Sequence, residues 1–171
     1  MRPPVKRPKR SFYKNNPNLK ACNVEQEWTE HQILEYYKCK KDPVYFLKTY
    51  VKIVHADDGL IPFNPYPFQE DMIKAYVENR FVISRIPRQM GKSTITIGYL
   101  LWNVIFNKNQ NCAILANKAL TSRELLDKLR SSYELLPFWI QQGIKIWNRG
   151  SIELENGSKV MATSTSSTAI R

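Results

Sequence analysis

Residues 83–94 read Ile-Ser-Arg-Ile-Pro-Arg-Gln-Met-Gly-Lys-Ser-Thr and hold the strongest chemical signal in the chain. Gly91-Lys92-Ser93 follows a short apolar run and opens an amphipathic stretch, the setting in which such a loop cradles phosphates. Gly91 lets the backbone curl close to an anion without a Cβ clash. Free N–H groups at a helix start attract that anion. Lys92 would neutralise β- and γ-phosphates, and the Ser93 hydroxyl would ligate Mg²⁺. The usual leading glycine is replaced by Ile86, and two positions on stands Arg88. An arginine able to reach a γ-phosphate within its own chain is worth about 10³–10⁵ in rate. The plain alternative is a strand-to-helix turn with Arg88 on the surface; the flanking patterns favour a nucleotide site.

Other residues carry weaker signals. The Gln69 amide offers a donor and an acceptor that match adenine N7 and N6, although a helix-surface glutamine is the simpler reading of that residue alone. Phe68 either stacks on a base or joins the core. Asn117-Lys118 follows an apolar run at the end where α/β sheets place functional loops, and helix capping explains it equally well. The acids after the loop are Glu124, Asp127, Glu134, Glu153 and Glu155. None ends an apolar strand, as the carboxylate that holds Mg²⁺ in a nucleotide motor does. His31 and His55 have no partner at metal-ligand spacing. Cys22, Cys39 and Cys112 are odd in number and far apart, which argues against a disulfide scaffold or zinc cage and for a reducing compartment.

These residues need elements to position them. Thr29 with Gln32 forms a capping box for a helix whose apolar face is Ile33, Leu34 and Tyr37. Asp42-Pro43 starts a second helix carrying Val44, Leu47, Val51 and Val54, which Asp57-Asp58-Gly59 ends. Phe68, Met72, Ile73, Tyr76 and Val77 mark a third. Phe81-Val82-Ile83-Ser84 then suits a buried strand, followed by a helix from about Lys92 to Phe106. Cys112–Ala116 is a second buried strand, and Ser122–Leu136 another helix. This alternation implies a parallel sheet. Alternating residues about Asn156-Gly157 imply an antiparallel hairpin at the sheet edge.

The 171 residues are 43% hydrophobic, enough for a real core, and no apolar run is long enough to span a membrane. Twenty-six Lys and Arg oppose fifteen Asp and Glu, a net charge of +11. Seven of the positives fall in residues 1–20, which contain no acid, leaving 19 positives against 15 acids in the rest. This Pro-rich basic stretch reads as a disordered leader, suited either to phosphate backbones or simply to solubility. It has no apolar segment behind it and does not read as a secretory signal.

Pro87-Arg88-Gln89-Met90-Gly91-Lys92-Ser93-Thr94 resembles the variant phosphate loop of large terminase subunits from tailed bacteriophages. Pro65-Tyr66-Pro67-Phe68-Gln69 is similar to that family's adenine-recognising Q motif. Pro17-Asn18-Leu19-Lys20, Val44-Tyr45-Phe46, Leu135-Leu136-Pro137, Trp147–Leu154 and Asn156-Gly157-Ser158 also resemble the myovirus-type members, in collinear order over roughly residues 15–171.

The resemblance implies an ATPase with Mg²⁺ that packages double-stranded DNA into a procapsid. Phe68, Gln69 and Pro87 to Thr94 would bind ATP, Lys92 and Arg88 would act on the phosphates, and Arg171 is a candidate for a neighbouring subunit's nucleotide. Implied partners are the portal protein, the small terminase subunit and further copies in a ring, with no membrane. The implied place is the host-cell cytoplasm and transiently the portal vertex, not the mature virion. The expected fold is α/β: a P-loop NTPase-type mainly parallel sheet flanked by helices. The expected divisions are a leader over 1–20, a helical subdomain over 21–62 and the front of the ATPase domain over 63–171. The metal-holding strand and a nuclease domain are expected beyond the C-terminus. The rivals are a helicase-like ATPase, which usually keeps the leading glycine, and a non-catalytic nucleotide- or DNA-binding fragment.

Overall fold

Two side-chain caps launch the N-terminal helices in the computed structural model, which describes residues 11–55 and 59–165. Thr29 Oγ1 accepts from the Gln32 N–H at 3.2 Å, and Gln32 Oε1 accepts from the Thr29 N–H at 3.1 Å. This capping box opens α1 (Glu30–Lys41). Asp42 Oδ1 accepts from the N–H groups of Val44 and Tyr45 at 2.8 and 3.1 Å, which opens α2 (Pro43–Tyr50).

The buried face of α1 is not the expected one. Ile33, Leu34 and Tyr37 are exposed, whereas Glu35 and Cys39 are buried. A buried carboxylate is tolerated because its oxygens are fully engaged: Lys38 Nζ and the hydroxyls of Tyr45 and Tyr50 lie 2.8, 2.8 and 3.0 Å away. Helix α2 also ends sooner than expected, at Tyr50. The chain then forms a hairpin, β1 (Lys52–His55) with β2 (Gly59–Pro62), in register from Lys52↔Pro62 to His55↔Gly59. Val54 is consequently 79% exposed on a strand instead of lying on a helix face. Asp57 and Asp58 lie outside the described residues.

Three further helices follow: α3 (Pro67–Glu78), α4 (Lys92–Phe106) and α5 (Ala119–Glu134). A four-stranded sheet is built from β3 (Asn111–Ala116), β4 (Ile144–Trp147), β5 (Ser151–Leu154) and β6 (Lys159–Ser164), in the order β3-β6-β5-β4. Only β3 and β6 are parallel, from Asn111↔Lys159 to Ala116↔Ser164; the other two pairs are antiparallel. The fold is α/β, but the sheet is mixed rather than mainly parallel. The Asn156-Gly157 hairpin joins β5 to β6 as expected, yet it occupies the middle of the sheet, because β4 adds outside it.

Asn156 fastens this hairpin to α4: its Nδ2 donates to the Val104 carbonyl at 2.8 Å, and Ser158 Oγ donates to the Asn107 carbonyl at 2.9 Å. These bonds satisfy carbonyls that a helix end leaves without partners. Helix α5 packs on β3 and β6 and against α4, and α4 carries α2 and α3. Helices α2 and α4 meet at Gly98, where a Cβ would come within 2.8 Å of Leu47 Cδ2. One continuous core runs from Phe46 and Leu47 through Ile95, Leu101 and Ile105 to Leu126, Leu129, Ile144, Leu154 and Val160. Burying each of these side chains contributes about 1.5–3 kcal/mol.

Two other expectations are corrected. Within the leader expected over residues 1–20, residues 11–20 pack on the fold. Leu19 is 2% exposed, and buried Gln141 accepts from the Lys20 N–H and donates to the Asn18 carbonyl. Apolar side chains here outweigh the basic composition; residues 1–10 lie outside the described set. Phe81–Ser84 is not a strand. Phe81 is 81% and Ile83 97% exposed, and no described strand lies alongside to pair with this segment.

Candidate functional site

The start of α3 and the turn before α4 meet through one side chain. Tyr66 and Gln69 exchange two hydrogen bonds: the Gln69 N–H donates to the Tyr66 carbonyl at 2.9 Å, and the Tyr66 N–H to Gln69 Oε1 at 3.0 Å. Gln69 Nε2 then crosses to the loop and donates to the Met90 carbonyl at 3.1 Å. The amide is 4% exposed and engaged at both ends by backbone. Tyr66 and Phe68 project their rings nearly parallel, with centroids 5.9 Å apart.

Beside this junction lies a cavity of about 500 Å³ lined by Phe68, Gln69, Gln89, Met90, Gly91 and Thr94, with Ile53, Ile61 and Asn64 from the hairpin and its exit. The loop bends through two left-handed residues, Gln89 (φ 64°) and Gly91 (φ 70°), the second being the N-cap of α4. Glycine takes this conformation without penalty. First-turn N–H groups of α4 have no intrahelical acceptor and carry the positive end of the helix dipole. Arg88, Lys92 and Ser93 are exposed, and among the described residues neither cation forms an ion pair. The loop thus presents two unneutralised cations, a hydroxyl and backbone donors at one turn.

Tyr76 braces the segment leading into the loop. Its hydroxyl lies 3.1 Å from Thr96 Oγ1 on α4 and 3.4 Å from Ser84 Oγ. Asn117 and Lys118 stand exposed at the C-terminal end of β3, and the Lys118 carbonyl accepts from the Ser122 N–H at 3.3 Å at the start of α5. Glu124, Asp127 and Glu134 lie on α5, as their spacing implied. Glu153 on β5 is held by Lys159 and Lys145 at 3.2 and 3.9 Å, and a Glu155 oxygen accepts from the Asn23 N–H at 2.9 Å. Among the described residues no group of three His, Cys, Asp or Glu is arranged to hold a metal. Arg171 lies outside the described residues.

The hairpin's part in this cavity went unread in the sequence. Its signal was there: Lys52-Ile53-Val54-His55 and Leu60-Ile61 are β-branched and apolar runs about an Asp-Asp-Gly turn, which the helical reading of Val51 and Val54 overrode.

Residues 83–171, just over half of the chain, match the family model for the large terminase subunit, T4likevirus-type, N-terminal. The chain belongs to this large terminase family. The match begins at Ile83 and takes in the turn at residues 87–91, α4, β3, α5 and the sheet that follows. Membership places the chain among proteins of viral DNA packaging. Among the described residues of this terminase chain, no helix is long and apolar enough to cross a membrane.

Proposed function

We propose that this chain forms the ATP-binding part of a P-loop NTPase that drives double-stranded DNA into a procapsid. The observation that carries the reading is the turn at residues 87–91. It ends in left-handed Gly91 at the N-terminus of α4, has Arg88 and Lys92 without an ion pair among the described residues, and borders a cavity walled by Phe68. A nucleotide fits this arrangement from both ends, with its base against Phe68 and its phosphates on the α4 turn.

In this reading Lys92 neutralises the β- and γ-phosphates, and Arg88 meets charge that grows on the γ-phosphoryl group during transfer. The oxygen of Ser93 suits Mg²⁺, a hard cation that needs few protein ligands once nucleotide phosphates and water supply the rest. Pro87 and Thr94 flank the turn and shape its entry and exit. The proposal extends to the portal protein and small terminase subunit as partners, a ring of copies at the portal vertex, and action in the host-cell cytoplasm; membership of a DNA-packaging family supports it.

The test is ATP hydrolysis by the packaging-competent protein with and without double-stranded DNA. DNA-stimulated turnover that a non-hydrolysable ATP analogue blocks is the expected result. DNA packaging that proceeds without nucleotide would refute the reading.

A further inference from the structure

We infer that Tyr76 is a positioning residue for the turn that opens α4, acting through a relay of hydroxyl groups; the inference rests on the nucleotide-site reading above. Thr96 Oγ1 donates to the Lys92 carbonyl at 2.9 Å. A threonine hydroxyl has one proton, and this bond commits it. The contact of 3.1 Å between Thr96 Oγ1 and the Tyr76 hydroxyl therefore has the tyrosine as donor. With the Tyr76 proton spent, the contact of 3.4 Å to Ser84 Oγ has the serine as donor. The relay runs in one direction, from Ser84 through Tyr76 and Thr96 to the Lys92 carbonyl. Each bond in such a chain polarises the next.

The relay joins the two flanks of the turn at residues 87–91. Ser84 precedes the turn, and Lys92 and Thr96 lie on α4 after it. In a trans peptide the C=O and the following N–H point in opposite directions. Holding the Lys92 carbonyl along α4 therefore turns the Ser93 N–H back past the start of the helix, where first-turn donors lack intrahelical acceptors. The same bond steadies the backbone that carries the Lys92 side chain. Donors ordered before a ligand arrives bind it with a smaller entropy loss. The Tyr76 ring is fixed by separate contacts: it lies 5.3 Å from the Tyr99 ring, and the Tyr99 hydroxyl donates to the Tyr76 carbonyl at 3.1 Å. Helices α3 and α4 are thus joined here without the Tyr76 hydroxyl, which is left to serve the relay.

The relay can be cut at two points. Tyr76→Phe keeps the ring and the bond from Tyr99 but removes the central hydroxyl. Thr96→Val keeps the branched shape and cuts the same relay from the α4 side, so either single variant that folds decides the claim. Thr96→Ser retains the hydroxyl and is the conservative control. Equilibrium binding of tripolyphosphate and of a non-hydrolysable ATP analogue, each with Mg²⁺, is measured by calorimetry on the full chain. The same measurement is made on the three variants and on the Tyr76→Phe, Thr96→Val double variant, well below the melting temperature of each.

Tyr76→Phe and Thr96→Val are each expected to weaken both ligands about tenfold. The double variant is expected to bind no more weakly than either single one, because one relay is cut twice. Thr96→Ser is expected to bind as the wild type does. A lowered melting temperature with unchanged affinity in Tyr76→Phe would make the cluster merely structural and overturn the inference. A double variant weakened about a hundredfold would also overturn it, since the two hydroxyls would then act independently. So would Thr96→Ser binding as weakly as Thr96→Val. A wild-type chain that binds neither ligand would overturn both this inference and the nucleotide-site reading beneath it, an outcome distinct from the others.

Discussion

Gln69 fills the space that a side chain on Gly91 would need. A Cβ on Gly91 would approach Gln69 Nε2 to 2.6 Å, and Gly91 itself sits at φ 70°. Two independent constraints, a left-handed backbone and a crowded neighbour, therefore act on one residue of the loop. Gly91→Ala should shift the loop, with a stability cost of about 1–2 kcal/mol. Nucleotide affinity should fall by more than that stability loss alone would produce. A variant that melts and binds as the wild type does would show that the loop has no such constraint.

Arg88 should separate binding from chemistry. Charge compensation that grows toward the transition state alters rate more than ground-state affinity. Arg88→Ala and Arg88→Lys are expected to lower turnover by about 10³–10⁵, because lysine keeps the charge but loses the planar fork of donors. Affinity for a non-hydrolysable analogue should change no more than about tenfold. Affinity collapsing in step with rate would make Arg88 a ground-state anchor.

The Glu35 cluster gives a pH signature. Lys38 and the Tyr45 hydroxyl, with a smaller part from Tyr50, hold this carboxyl at about 2 against the opposing effect of burial. The folded-state value lies below the ordinary glutamate value of about 4.3. Its stabilisation is therefore complete above that value and is lost as pH falls from about 4 toward 2. Glu35→Gln should lower Tm by several degrees at neutral pH, with the gap narrowing through that acid window. A gap of constant size from pH 7 to pH 2 would contradict the assignment. The neighbouring Cys39 thiol is pushed up to about 12, chiefly by burial, and should be slow toward alkylating reagents in the folded chain.

What was legible in the sequence was what local chemistry decides. The caps at Thr29 and Asp42, the span of α4 and the Asn156-Gly157 turn were all readable, because one or two side chains determine each. Gly157 illustrates this: it turns at φ 85°, where a Cβ would clash with Asn109 Oδ1. The α1 face was misread because two of the three partners of Glu35, Tyr45 and Tyr50, come from α2, ten and fifteen residues on, and no periodicity encodes them. Strand order was hidden for a similar reason. Alternation specifies the two faces of β4, β5 and β6 but not which neighbour each takes. At the site, the loop was visible as a motif, while the tie from Gln69 to Met90 spans 21 residues and needed coordinates.

The exposed run at Phe81–Ile83 should promote association between copies. It is apolar and exposed, and β3 has one edge unpaired among the described residues. Such features template strand pairing. Phe81→Lys with Ile83→Lys should lower concentration-dependent association in sedimentation experiments, with stability changed by less than about 0.5 kcal/mol. A monomeric wild-type chain at all concentrations would contradict this.

The central claim is that the turn ending at Gly91 holds nucleotide phosphates, and Lys92 tests it most directly. Lys92 is exposed and forms no ion pair among the described residues, so its removal should leave the melt unchanged. The decisive measurement is equilibrium binding of a non-hydrolysable ATP analogue with Mg²⁺ to the wild type and to Lys92→Ala, each with its melting curve. Binding lost by about a hundredfold with Tm unchanged is the predicted result. Equal binding by both proteins would contradict the account.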